Sequence, residues 1–119
     1  MFKVEHKGSC LTVEINDIEY FATCERGVAL YAGKNKHEFG GKLSEVEKRL
    51  AGYDFVRCHQ SFLVNMHHIA KIERMKWSPD QARKNTLITL KSGRQLPLSK
   101  HREACFKKRY NDYLMRHSV

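Results

Sequence analysis

The sequence predicts a mainly β fold of many short strands, with one short helix near the middle and a longer helix at the C-terminal end. Three observations carry that expectation. Apolar and polar residues alternate over the opening segments, which is the period of a half-buried strand. Short runs rich in β-branched and aromatic residues are separated by breaks containing Gly, Asn or Ser. Helical spacing of apolar residues is confined to two places, about residues 44–51 and about residues 100–116.

The first strand is expected over residues 2–6, where Phe2 and Val4 alternate with Lys3 and Glu5. Residues 11–15 follow, with Leu11, Val13 and Ile15 on one face. Residues 18–24 and 28–32 are joined through Glu25-Arg26-Gly27, a short Gly-containing connection that gives the pair the form of a hairpin. A further turn at Gly33-Lys34-Asn35 precedes a strand over 37–39. Ser44-Glu45-Val46-Glu47 matches a capping box, in which Ser44 and Glu47 would each accept from the other's backbone amide. Leu43, Val46 and Leu50 then share one side of a short helix, which Gly52 ends. This helix is expected to lie against a sheet as packing.

Strands are next expected over 55–58, 62–64 and 69–75, with a single helical turn near Asn65. Phe62, Met66, Ile69 and Ile72 also fit a helical face. Against that reading, Phe62-Leu63-Val64 favours a strand and no second helix of proper length precedes it, so strand, turn, strand is preferred. Residues 76–85, with Ser78-Pro79-Asp80, read as a protruding connection. Runs over 86–90 and 95–98, joined through Lys91-Ser92-Gly93-Arg94, form another hairpin. Phe106, Tyr110, Tyr113 and Leu114 mark the apolar stripe of the C-terminal helix.

Charge is distributed unevenly along the 119 residues. The net charge is +9, from 22 Lys and Arg against 13 Asp and Glu. Residues 1–55 hold 8 basic and 9 acidic residues, net −1, whereas residues 56–119 hold 14 and 4, net +10. If the basic segments meet in space, such a face attracts phosphate polyanions by releasing their counterions. An ordinary solvated basic surface would carry the same charge. No apolar run approaches the ~20 residues of a membrane span, and Met1 to Lys7 lacks a secretory apolar stretch, so the cytoplasm is the default compartment. Cys10, Cys24, Cys58 and Cys105 are scattered, with no C-x-x-C pair, and are expected to be buried and inert. Cys58-His59 and His67-His68 are adjacent pairs whose side chains diverge on a strand, and paired ligands at short gaps are missing, so no metal or other cofactor is expected. The chain also offers no paired carboxylates, Gly-rich phosphate cradle or Ser-His-Asp set, and is not expected to be an enzyme.

One segment is more specific. Phe55-Val56-Arg57-Cys58-His59-Gln60-Ser61-Phe62-Leu63-Val64-Asn65, followed by Ile69, resembles the central signature of the LytTR (LytR/AlgR-type) DNA-binding domain: an aromatic, then Arg-x-His-x-Ser-aromatic-apolar-Val-Asn and a nearby Ile. Asn16-Asp17-Ile18-Glu19-Tyr20-Phe21 looks like that family's Asp-Ile-x-aromatic strand, and residues 43–50 look like its helix. Leu90-Lys91-Ser92-Gly93-Arg94-Gln95-Leu96-Pro97-Leu98-Ser99-Lys100 looks like its closing hairpin. The resemblance covers about residues 12–106 of one domain spanning 2–119, with the helix over 100–116 as an extension. It implies an elongated fold of short strands in small antiparallel sheets that contacts DNA through loops. It also implies a function, as the transcriptional output domain of a two-component-type response regulator, in a family where a phosphorylated receiver usually precedes the domain. The expected partner is double-stranded promoter DNA carrying paired direct repeats, bound by two copies.

The resemblance places base contacts on Arg26, Gln60 and Lys100. Gln pairs bidentately with adenine and Arg or Lys with guanine, so these residue types suit the task. Gln60 departs from the family, where a basic residue is frequent, and Lys100 replaces the commoner Arg. Arg57, His59, Ser61, Arg94, Ser99 and Arg102 are suited to phosphate contacts, which position a protein on DNA without reading sequence. For each, an exposed polar loop residue is the plainer reading, and His59 also reads as a hydrogen-bonded organiser of its loop. A catalytic pairing of His59 with Cys58 is disfavoured because neighbouring side chains diverge. Two other functions remain open on the residues alone: an RNA-binding or nonspecific nucleic-acid module, and a protein-interaction module that has lost DNA binding.

Overall fold

The computed structural model describes residues 2–6, 8–74 and 86–117; the connection expected over 76–85 lies outside them. In chain order the elements are β1 (Phe2–His6), β2 (Ser9–Val13), β3 (Tyr20–Cys24), β4 (Gly27–Ala32), β5 (Asn35–Phe39), α1 (Leu43–Arg49), β6 (Phe55–His59), β7 (Phe62–Asn65), β8 (Ile69–Arg74), β9 (Thr86–Leu90), β10 (Gln95–Leu98) and α2 (Glu103–His117). Short 3-10 turns cover Ile15–Asp17, Met66–His68 and Lys100–Arg102. The strands form three sheets: β1-β2, β10-β9-β8, and a central sheet in the order β5-β4-β3-β7-β6. All pairings are antiparallel. The body measures 50 × 39 × 24 Å, so the elongated mainly β architecture matches the expectation.

Alternation along the central strands loads both faces of the five-stranded sheet, because successive side chains point to opposite sides. On one face, Phe21, Leu30 and Leu63 pack with Phe2 and Val4 of β1 and with Leu43, Val46 and Leu50 of α1. On the other, Tyr20, Val56, Cys58 and Val64 pack with Ile88, Leu90, Leu96 and Leu98 of the three-stranded sheet and with Phe106 of α2. The central sheet is thus the middle of three layers. Pro97 fits because β10 is an edge strand, where the missing N–H costs no ladder bond.

The helical turn expected near Asn65 is present. Asn65 is buried with both ends of its amide engaged: its Nδ2 donates to the Ile18 carbonyl at 2.9 Å and its Oδ1 accepts from the His67 amide at 3.0 Å. The Val-Asn of the signature is therefore a packing device that fixes where β7 ends.

Two expectations are corrected. The capping box does not form: α1 begins at Leu43, Lys42 occupies the cap position without a side-chain bond, and Ser44 lies inside the first turn. With Leu43 buried, the cap falls two residues before Ser44, and the Glu47 carboxylate is instead engaged by Arg57 Nη1 at 3.2 Å. The cysteines are all free, as expected, yet only Cys58 is buried; Cys24 is half-buried and Cys10 and Cys105 are exposed. Cys105 sits on the outer side of α2, one residue before the buried Phe106, where helical geometry turns it to solvent.

Candidate nucleic-acid interface

Antiparallel pairing gathers the loops at one end of the central sheet. β3 runs into the turn at Glu25 and Arg26, and β4 returns from it. β6 runs into the turn at Gln60 and Ser61, and β7 returns from that one. Because β3 and β7 are antiparallel neighbours, both turns project from the same end. The Thr23 amide donates to the Ser61 carbonyl at 3.0 Å and ties them together. A second backbone bond, from the Ser99 amide to the Cys58 carbonyl at 2.7 Å, delivers the exit of β10 to the same place. Lys100 then opens a 3-10 turn, closed by the Arg102 amide on the Ser99 carbonyl at 3.0 Å.

Gln60, Lys100 and Arg26 are all exposed at this end. No side-chain hydrogen bond or ion pair holds any of the three among the described residues. Their neighbours are organised. Arg57 is only 14% exposed in its side chain; its Nε donates to the His59 carbonyl at 3.0 Å and its Nη2 to the Gln60 carbonyl, while Nη1 reaches Glu47. The guanidinium therefore fastens the turn from behind. His59 accepts the Ser61 amide on Nδ1 at 3.1 Å, which leaves its ring proton on Nε2. The loop-organising reading of His59 thus has a geometry, and Nε2–H remains the ring's donor. Ser61, Ser99 and Arg102 lie half-buried around the same end.

The Cys58 thiol is unsuited to nucleophilic work. Burial pushes its pKa from 9.0 up to about 12, against the weaker pull of Arg57 and Arg102. The thiol stays protonated at neutral pH, and the adjacent imidazole is committed to the Ser61 amide.

Arg94 is placed elsewhere. Its Nη1 meets Glu19 Oε2 at 3.2 Å, its Nη2 donates to the Gly33 carbonyl at 3.0 Å, and the guanidinium lies 5.4 Å from the Tyr31 ring centre. Glu19 precedes β3 and Gly33 follows β4, so Arg94 sits at the opposite end of the hairpin from Arg26. Five strand residues separate the two ends, roughly 17 Å at ~3.3 Å per residue. Conversely, one cation was not anticipated. The Gly40–Lys42 connection abuts Gly27, which brings the exposed Lys42 to the loop end. No sequence signal marks Lys42, since its place depends on the β4–β5 register.

The chain is thus a β-rich module that presents three exposed basic or amide-bearing turns from one end of its central sheet, an arrangement suited to a polyanionic partner. The family model of the LytTr DNA-binding domain matches residues 8–111, and the chain belongs to that family. Its fold is similar to that of a solved LytTr DNA-binding domain from Bacillus cereus, with a TM-score of 0.73 and 24% identity over 91% of this chain and 94% of that one. A search of curated proteins gives no significant match. LytTR domains are non-catalytic DNA-binding modules of transcription regulation. No helix among the described residues is long and apolar enough to cross a membrane.

Proposed function

We propose that this chain binds double-stranded promoter DNA sequence-specifically, as the output domain of a two-component-type response regulator. Gln60 and Lys100 read base edges, and Arg26 adds a third contact from the neighbouring turn. His59, Ser61, Ser99 and Arg102 meet phosphates, joined by Lys42. Arg57 holds the turn and Arg94 braces the opposite end, so neither is counted among the direct contacts. Two copies on paired direct repeats would double the readout, since each domain presents only three short turns. The observation that carries this reading is the pair of backbone bonds, Thr23 to Ser61 and Ser99 to Cys58, which bring the turns bearing Arg26, Gln60 and Lys100 to one end of the central sheet.

Selection of binding sites from random duplex DNA, followed by anisotropy titrations, tests it. Gln60→Ala and Lys100→Ala should each lose about 1–3 kcal/mol of discrimination between the selected site and scrambled DNA, with an unchanged circular dichroism spectrum. Equal discrimination by wild type and both variants would remove these residues from the readout. Wild-type affinity that is the same for selected duplex, scrambled duplex and RNA would favour the nonspecific nucleic-acid module instead.

A further inference from the structure

At the other end of β6 from Gln60, three potential metal ligands converge from three separate elements. Asp54 immediately precedes β6, His67 lies in the 3-10 turn after β7, and His117 is in the last turn of α2. One ligand atom from each lies within 4.8 Å of the other two. His67 Nε2 is 2.9 Å and His117 Nε2 is 3.6 Å from the same carboxylate oxygen, Asp54 Oδ2. The two imidazole rings stand nearly perpendicular, with centres 5.3 Å apart. Arg116 takes the other oxygen, Oδ1, at 3.0 Å, and is 61% exposed in its side chain.

We propose that Asp54, His67 and His117 form a binding site for a borderline divalent transition ion of the Zn2+ class, which clamps the last turn of α2 to the central sheet. The donor set is two imidazole nitrogens and one carboxylate oxygen, the ligand chemistry of three-residue zinc sites that leave a fourth position for water. The outer contacts also fit. Tyr113 Oη lies 2.9 Å from His67 Nδ1; with a metal on Nε2, Nδ1–H donates to that oxygen and fixes the ring, as partners of metal-bound histidines do. For the ion to take Nε2, the proton shared there with Asp54 Oδ2 must leave that nitrogen: in a neutral ring it moves to Nδ1, and a doubly protonated ring releases one proton to solvent. The exposed Arg116 can move away from Oδ1 into water, which lowers the charge repulsion. An ion here would join Asp54 and His67, which flank β6 and β7, to the last turn of a helix also seated through Phe106, Tyr110 and Tyr113 and through the bond from Arg109 to the Phe55 carbonyl. Sequence spacing does not show this site, because His67 and His117 are fifty residues apart and meet only when α2 folds back along β6.

Calorimetric titration of the folded protein with Zn2+, paired with thermal denaturation with and without chelator, tests the assignment. Wild type should bind one ion saturably and melt higher with Zn2+ than with chelator. Tyr113→Phe should weaken binding about 10- to 100-fold, the usual cost of losing an outer partner. His117→Ala should weaken it further and abolish the thermal shift, while His101→Ala, in the 3-10 turn that precedes α2, should match wild type. His117→Gln replaces the alanine variant if that one fails to fold. Absence of one-to-one binding by wild type, or equal Zn2+ affinity in wild type and the His117 variant, overturns the site and leaves an ion-pair network. The readout is metal affinity, so either result leaves the DNA-binding proposal untouched.

Discussion

Arg57 and Gln60 stand three residues apart, and the structure separates their work. Arg57 spends its donors on the His59 and Gln60 carbonyls and on Glu47, whereas the Gln60 side chain extends into solvent. Removing Arg57 leaves those acceptors without a charged partner, so Arg57→Ala should lower unfolding free energy by about 1–2 kcal/mol in urea titrations. Gln60→Ala should stay within about 0.5 kcal/mol of wild type in the same measurement. Equal stability of the two variants would contradict this division. The sequence alone does not distinguish them: both are polar residues of one motif, and which faces outward depends on the bulge between Arg57 and His59. Asn65 and His59 show the same limit. Their residue types permit either an outward contact or an inward hydrogen bond, and only the folded neighbours decide.

At the scale of elements, the alternating and helical periods were legible because burial enforces them. Every strand expected within the described residues has a counterpart, and both helices lie where apolar spacing placed them. The strand expected over 11–15 nevertheless runs over Ser9–Val13, Ile15 enters a 3-10 turn, and the strand expected over 18–24 begins at Tyr20. What failed was the capping box, since Ser44 and Glu47 satisfy a local pattern that tertiary contacts overrode at Leu43 and Arg57. The β3–β4 turn offers the sharpest test at this scale. Gly27 has φ +137°, and a Cβ there would lie 2.5 Å from the Phe39 carbonyl oxygen. Gly27→Ala therefore strains the backbone and pushes β5 away from β4, at a cost of at least about 2 kcal/mol. A urea midpoint equal to wild type would show that the hairpin does not need this close approach.

For the whole molecule, the three layers make one sheet end the meeting place of turns from four parts of the chain. The charge asymmetry between residues 1–55 and 56–119 was visible in the sequence, but its destination was not. Arg94 belongs to the basic half and lies at the far end, while Lys42 belongs to the acidic half and lies at the loop end. If Lys42 and Arg102, the two cations assigned to phosphates, each neutralise one, log K should fall with log salt at a slope of about −0.9 × 2, or roughly −1.8 per domain. A slope near zero, measured by anisotropy from low to physiological salt, would rule out this electrostatic footing.

The loop-end reading is tested most directly by amide chemical-shift mapping, in which duplex DNA carrying the selected site is titrated into 15N-labelled protein. The largest shifts are expected at residues 24–27, 59–61 and 99–102, with residues 33–34 and 91–94 nearly unmoved. Shifts concentrated at 33–34 and 91–94, or along the last turns of α2, would contradict it.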